Sequence, residues 1–325
     1  MSTVTGLRWR ARDRSAGFTL IELAAVLSIL GVAGAAIGMT LLRQQRFYRG
    51  ASELMYARQG VRDAMELLST DIRGTAVTDT IRLLADSAIE LFANIGSSVV
   101  CRSTGAQVGL PGAVRPPGNA LSVFLFEPDT GDLALFYRDS TELTPGDSSE
   151  RSSRWERHRI DGFSSRALAN ACPEATGFAR PNGPSGNGAT GFVVALEAPL
   201  TGHVIAGAPV RFVRRGRYSL YKASDGDWYL GYRRCNALGP PVCGAVQPLS
   251  GPYGPYSRDS HLTGLLFEYF DARGLRLGAG ASPLSVARVD ITARARSRQR
   301  VLIEGRSWTP SDSATVSIAV RNRPR

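Results

Sequence analysis

The sequence predicts an α+β protein in which a long N-terminal helix packs on an antiparallel β-sheet. Three patterns carry that expectation. Residues 18–42 form an apolar stretch interrupted by a single charge. Beyond it, apolar residues recur every three or four positions to about residue 73, the spacing of an amphipathic helix. The C-terminal quarter then alternates apolar with polar residues, the period of strands with one buried face. A meander of such strands must bury its apolar side, and the helix supplies a cover.

With 325 residues the chain can hold one large domain or two modest ones. A hydrophobic content of 43% and a charged content of 21% exclude both a disordered chain and a polytopic membrane protein. The formal charge is +11, and all 39 Lys+Arg except Lys222 are arginine. So complete a replacement of lysine reads first as a coding bias, as in a GC-rich genome. Some of the excess is also local, since Arg8, Arg10, Arg12 and Arg14 face only Asp13 ahead of the apolar stretch.

About 20 apolar residues suffice to cross a bilayer as a helix, so 18–42 is long enough. The arginines before it predict that the short N-terminal end stays cytoplasmic while the bulk is exported. A cleaved secretory signal is one reading, with a small-residue site near Ala33-Gly34-Ala35. Glu22 speaks for another. A carboxylate within an apolar span costs on the order of 2–3 kcal/mol, so it marks a function and a partner. The apolar run also continues past Ala35 to Leu42.

The order Ala16-Gly17-Phe18-Thr19-Leu20-Ile21-Glu22 resembles the prepilin-type processing motif of type IV pilins and type II secretion pseudopilins. That resemblance implies cleavage by a prepilin peptidase between Gly17 and Phe18 and N-methylation of Phe18. It also implies a role for Glu22 in docking onto other pilin or pseudopilin subunits. Phe18 and Glu22 stand at i and i+4, so a terminal ammonium and the carboxylate can approach on a helix. The same pair can form between neighbouring subunits, where it offsets the cost of a charge in lipid. In the same span, Gly34-Ala-Ala-Ile-Gly38 is a G-x-x-x-G that permits close helix contact. Glycine is also simply common in such spans, and both readings stay open.

The expected organisation is a basic leader at 1–17, a membrane-crossing half-helix at 18–42, an amphipathic half-helix at 43–74 and an exported β-rich domain at 75–325. In the amphipathic half, Leu54, Ala57, Val61, Met65, Leu68 and Ile72 form the apolar stripe, and Gly74 ends it. The whole helix would be about 84 Å long at the standard rise. Thr80 to Phe92 reads as a short helix. Leu121–Phe126 and Leu133–Tyr137 read as a hairpin around Glu127-Pro-Asp-Thr-Gly-Asp132. A Gly/Pro/Asn-rich loop over 176–190 precedes strands at Phe192–Leu196, Val210–Val213, Tyr218–Tyr221 and Trp228–Tyr232, with a turn at Ala223–Asp227. Leu265–Phe270, Val289–Ala293 and Val316–Val320 complete the sheet. Trp228-Tyr-Leu-Gly-Tyr-Arg-Arg-Cys235, Leu265-Leu-Phe-Glu-Tyr-Phe-Asp-Ala-Arg-Gly274 and Val286-Ala-Arg-Val-Asp-Ile-Thr292 are similar to the larger minor pilins of the PilW kind and to J-type pseudopilins. The likeness implies action near a filament tip, where subunits prime assembly.

Four cysteines lie beyond the apolar segment, which suits two disulfides in an exported domain. Cys235 and Cys243 bracket a short Gly/Pro-rich loop and are expected to pair, leaving Cys101 for Cys172. His158, His203 and His261 are scattered without metal or catalytic spacing, and no nucleophile elbow, phosphate loop or zinc motif is present. No cofactor is expected, and no enzymatic activity. Asp225 and Asp227 offer oxygens that suit calcium but read first as a plain turn. Arg211, Arg214, Arg215 and Arg217 cluster beside Tyr218, a pattern that fits either nucleic acid or a solvated strand face. The expected function is a minor pilin or pseudopilin of the inner membrane. The alternatives are a secreted or periplasmic binding protein, or a tip adhesin or DNA-uptake subunit.

Overall fold

The computed structural model describes residues 19–75, 81–112, 121–138, 155–174, 176, 179, 189–200, 204–278, 280–303 and 306–320. The chain divides into two units. The first holds the described residues up to Ser52 with Val301–Trp308, and the second holds Glu53–Arg300 with the residues from Thr309 onward. Helix α1 spans Leu20–Gly74. In the first unit it is a single helix, apolar as far as Leu42, and strands Val301–Ile303 and Arg306–Trp308 pair there as a small antiparallel ribbon.

The second unit is an α+β fold built on one large antiparallel sheet. Its strands are β1 (Leu83–Leu84), β2 (Ala88–Val99), β3 (Arg102–Thr104), β4 (Gln107–Leu110), β5 (Val123–Phe124), β6 (Leu133–Tyr137), β7 (Trp155–Ala167) and β8 (Thr190–Leu196). There follow β9 (Pro209–Lys222), β10 (Trp228–Arg234), β11 (Gln247–Tyr253), β12 (Leu265–Phe270), β13 (Arg276–Leu277) and β14 (Arg288–Arg296). The strand Ser311–Ala319 pairs with β14 along its length. A short helix α2, Leu168–Ala171, follows β7.

Strand β9 is the hub. Along one edge it pairs with β2, from Val99 opposite Pro209 to Ala88 opposite Ser219. Along the other it pairs first with β6 and then with β10. The arginines between Val213 and Tyr218 do not interrupt it, because each finds an acidic, carbonyl or aromatic neighbour. Gly216 is required within it, since a Cβ there would lie 2.3 Å from the Tyr232 ring.

From Glu53 onward α1 lies on this sheet. Ala57, Val61, Ala64, Leu68 and Ile72 are buried against Ile89, Leu91, Tyr218, Leu230, Phe267 and Ile291. The stripe differs from the expected one at two turns: Leu54 is only partly buried and lies outside the core cluster, and Ala64 is fully buried where Met65 is only partly so. Gly60 and Ala64 are small, and the Gly60 Cα packs where Gly251 and Ala295 lie within ordinary contact distance of an added Cβ. A second core, around Val108, Phe136, Ile160, Val194, Val210 and Phe212, fills the far part of the sheet.

Three expectations are corrected. The expected helix over Thr80–Phe92 is not found: Thr80 lies outside the described residues, and the rest holds β1 and the start of β2. The segment is apolar because β2 is buried on both faces, with Ile89 and Leu91 facing α1 and Phe92 packing with Leu133 and Leu135. A doubly buried strand shows a continuous apolar run that periodicity cannot tell from a helix. The hairpin of Leu121–Phe126 with Leu133–Tyr137 does not form. The first segment contracts to β5, which pairs with β2, while β6 pairs with β7 and β9. Asp129 and Asp132 in the intervening turn are held instead by arginines of β9 and β10. Val210–Val213 and Tyr218–Tyr221 are not separate strands but parts of β9. Most of the expected loop over 176–190 lies outside the described residues.

Candidate functional site

In the first unit Thr19 caps α1. Its hydroxyl accepts from the Glu22 amide at 3.3 Å, and its carbonyl accepts from the Leu23 amide at 3.1 Å. Thr19-Leu-Ile-Glu22 therefore has the order of a capping box, in which the acid three residues on faces the free amides of the first turn. Glu22 is exposed there, where a negative charge favours the positive end of the helix dipole. The apolar residues on either side of it are exposed too, from Leu20 at 86% through Leu42. The most apolar window of the helix is 0% buried, and the helix is long and apolar enough to cross a membrane. So much bare apolar surface is stable only in lipid or against other protein. A Cβ added at Gly31, Gly34 or Gly38 would meet nothing within 4 Å among the described residues, so no contact there requires glycine at these positions. Gly17 and Phe18 lie outside the described residues.

In the second unit the clustered arginines point into the fold's own acids. Arg214 donates to Asp132 through Nε and Nη2 at 2.7–3.1 Å and to the Glu127 carbonyl. That hydrogen bonding holds its guanidinium still more firmly in the charged form, against the opposing effect of burial. Arg215 and Arg217 share Glu90, which is 1% exposed. Arg215 also donates to the carbonyls of Asn236 and Gly239, so it anchors the loop between Cys235 and Cys243. Arg211 stacks on Trp155 at 5.1 Å. A basic cluster spent in this way acts as internal bracing more than as a surface for polyanions.

Both disulfides form, Cys101 with Cys172 and Cys235 with Cys243. The first ties α2 to the sheet where Gly109 is indispensable, since a Cβ there would sit 1.8 Å from the Ala171 carbonyl oxygen. Among the described residues Glu90, Cys235 and Cys243 bring ligand-type atoms within 4.8 Å of one another. Both sulfurs are tied in a disulfide, so neither is the thiolate a metal prefers, and both Glu90 oxygens accept from arginine, which makes this trio a poor metal site. At the Asp225 turn one carboxylate oxygen accepts from the Asp227 amide and the other from the Tyr229 hydroxyl, and Arg298 approaches both acids. These bonds hold the Asp225 carboxyl below its ordinary value, with the Tyr229 hydroxyl the largest cause. His158 is wedged with Nε2 2.6 Å from Glu156 and Nδ1 3.1 Å from the Ala198 carbonyl, a structural setting. His261 is exposed, and His203 lies outside the described residues.

No curated protein and no solved structure matches the chain. Residues 12–38 match the family model described as the prokaryotic N-terminal methylation motif. The match crosses the Gly17–Phe18 junction, takes in Glu22 and ends at Gly38 within the exposed apolar part of α1.

Proposed function

We propose that the chain is a minor pilin or pseudopilin, anchored in the inner membrane by the first part of α1 and carrying its sheet domain outside the cytoplasm. On this reading prepilin peptidase cuts between Gly17 and Phe18 and methylates the new terminus. Glu22 then pairs with the terminal ammonium, within one subunit or between two, as the apolar helix leaves lipid for a filament core. The observation that carries the reading is a methylation motif running directly into a helix whose apolar side chains find no cover among the described residues. A structural subunit needs no catalytic group, and His158, Glu90 and Asp132 are engaged in bracing the sheet domain.

The likeness of the C-terminal half to PilW-like minor pilins and J-type pseudopilins supports a place near the filament tip. Glu22 itself favours a subunit with a neighbour ahead of it. The test is substitution at that acid. Glu22→Ala should insert in the membrane and be cleaved normally, yet enter filaments at least tenfold less often. Glu22→Gln keeps a polar group for the helix cap and should be equally impaired, since the charge is what the docking uses. Normal incorporation of both variants would overturn the role.

A further inference from the structure

The outer half of α1 leaves part of its sheet face uncovered. A helix is about 10–12 Å wide and strands lie about 4.8 Å apart, so one helix shields only two or three strands of so wide a sheet. Beside α1 a groove of about 620 Å³ runs over β2, β9 and β10. Its helix wall is Asp63, Glu66 and Leu67, and Leu125, Phe126 and Leu249 form much of the opposite wall. Phe126 is 64% exposed there, a large apolar side chain with one face open to solvent. The floor includes Tyr218 and Tyr232, whose ring centroids are 5.2 Å apart.

The groove's charge is one-sided. Arg214 is its one basic lining residue, and Asp132 already holds that guanidinium. Among the described residues neither Asp63 nor Glu66 has a basic partner, and the Asp71 carboxylate accepts from the Tyr218 hydroxyl. The occupant that fits is therefore a helix with cations spaced like these acids and an apolar knob beside them.

The chain carries such a helix itself. Asp63, Glu66 and Leu67 stand at i, i+3 and i+4, and Arg43, Arg46 and Phe47 stand at the same spacing in the first unit. Arg43 and Arg46 are exposed with no acidic partner among the described residues, and Phe47 is 71% exposed. Residues at this spacing share one helix face. We infer that the groove receives the Arg43–Phe47 face of a second copy of this chain, with Arg43 beside Asp63, Arg46 beside Glu66 and Phe47 seated against Phe126. An aromatic anchor ringed by opposite charges is the usual anatomy of a contact hot spot. The inference rests on the filament reading, since it supplies one of the lateral contacts such an assembly needs.

The test uses the full-length protein in detergent micelles, with a benzoylphenylalanine photocrosslinker replacing Phe126. Irradiation should join two copies, and mass spectrometry should place the bond within 43–49 of the second. The double variant Asp63→Arg/Glu66→Arg should lower the yield at least tenfold. Mixing it with Arg43→Glu/Arg46→Glu should restore a crosslinked pair between the two. Each variant's thermal melting, unchanged from the parent, shows that the sheet domain is folded. Bonds to other segments, a yield indifferent to charge reversal, or only monomer from a folded protein would overturn the contact. Phe18 methylation is read on the same samples. A methylated chain that fails to crosslink overturns the groove contact alone, whereas an unmethylated one overturns the filament reading.

Discussion

The Tyr253 hydroxyl donates to the main-chain carbonyl of Gly60 at 2.7 Å, joining the end of β11 to the middle of the amphipathic helix. Tyr253 is fully buried, and Ser250 lies 2.6 Å from the same hydroxyl. Burial pushes the phenol up to about 12, so it stays a donor throughout the physiological range. The bond fixes helix to sheet where Gly60 and Ala64 let them approach.

Tyr253→Phe keeps the ring and removes the donor. It should destabilise the protein by about 1–2 kcal/mol, the range for losing a buried hydrogen bond. Urea unfolding of the membrane-extracted protein checks this, and Ser250→Ala should cost less because the carbonyl keeps its partner.

Glu90→Gln tests the bracing of β9. It would leave Arg215, 6% exposed, without its counter-charge. Breaking a buried pair by neutralising one member costs about 3–5 kcal/mol. The variant should therefore melt far below the parent, while Arg217→Gln, at a more open position, should lose much less.

Asp71 should make stability fall with rising pH. Burial lifts its carboxyl above the ordinary 3.8, and the hydrogen bond from Tyr218 opposes this only in part. The folded state therefore holds a proton that the unfolded state has released, and stability declines as pH rises from about 4 through the raised value. Asp71→Asn removes the titration and still accepts from Tyr218. Melting curves from pH 4 to 7 should show a shallower pH dependence in that variant.

Gly34→Leu/Gly38→Leu should leave thermal melting unchanged, because no described residue packs against either position. If the helix face is used between subunits, filament incorporation should fall severalfold. Immunoblots of sheared filaments would measure it.

Much of this was legible in the sequence, for reasons that can be named. The spacing of Ala57, Val61, Leu68 and Ile72 places the helix on a sheet because one face must be buried. The alternation in Val289–Ala293 marks a strand with one wet face. Cys235 and Cys243 flank a short Gly/Pro-rich loop that turns back on itself, which favours their pairing. What could not be read depends on distant partners. Phe92 belongs to a doubly buried strand only because Leu133 and Leu135 arrive from elsewhere. Arg215 is bracing because Glu90, far away in the chain, meets it across β2 and β9. The Thr19 cap shows in the order Thr-Leu-Ile-Glu, a local signal that the charge of Glu22 within an apolar span obscures.

The central claim is a charged amine made by proteolysis next to Glu22 at the head of an apolar helix. Intact-mass and N-terminal sequencing of the mature protein from its native membrane measures it directly. The account requires a chain beginning at N-methylated Phe18 with the apolar helix retained. A terminus beyond Ala35, with that helix lost, would contradict it.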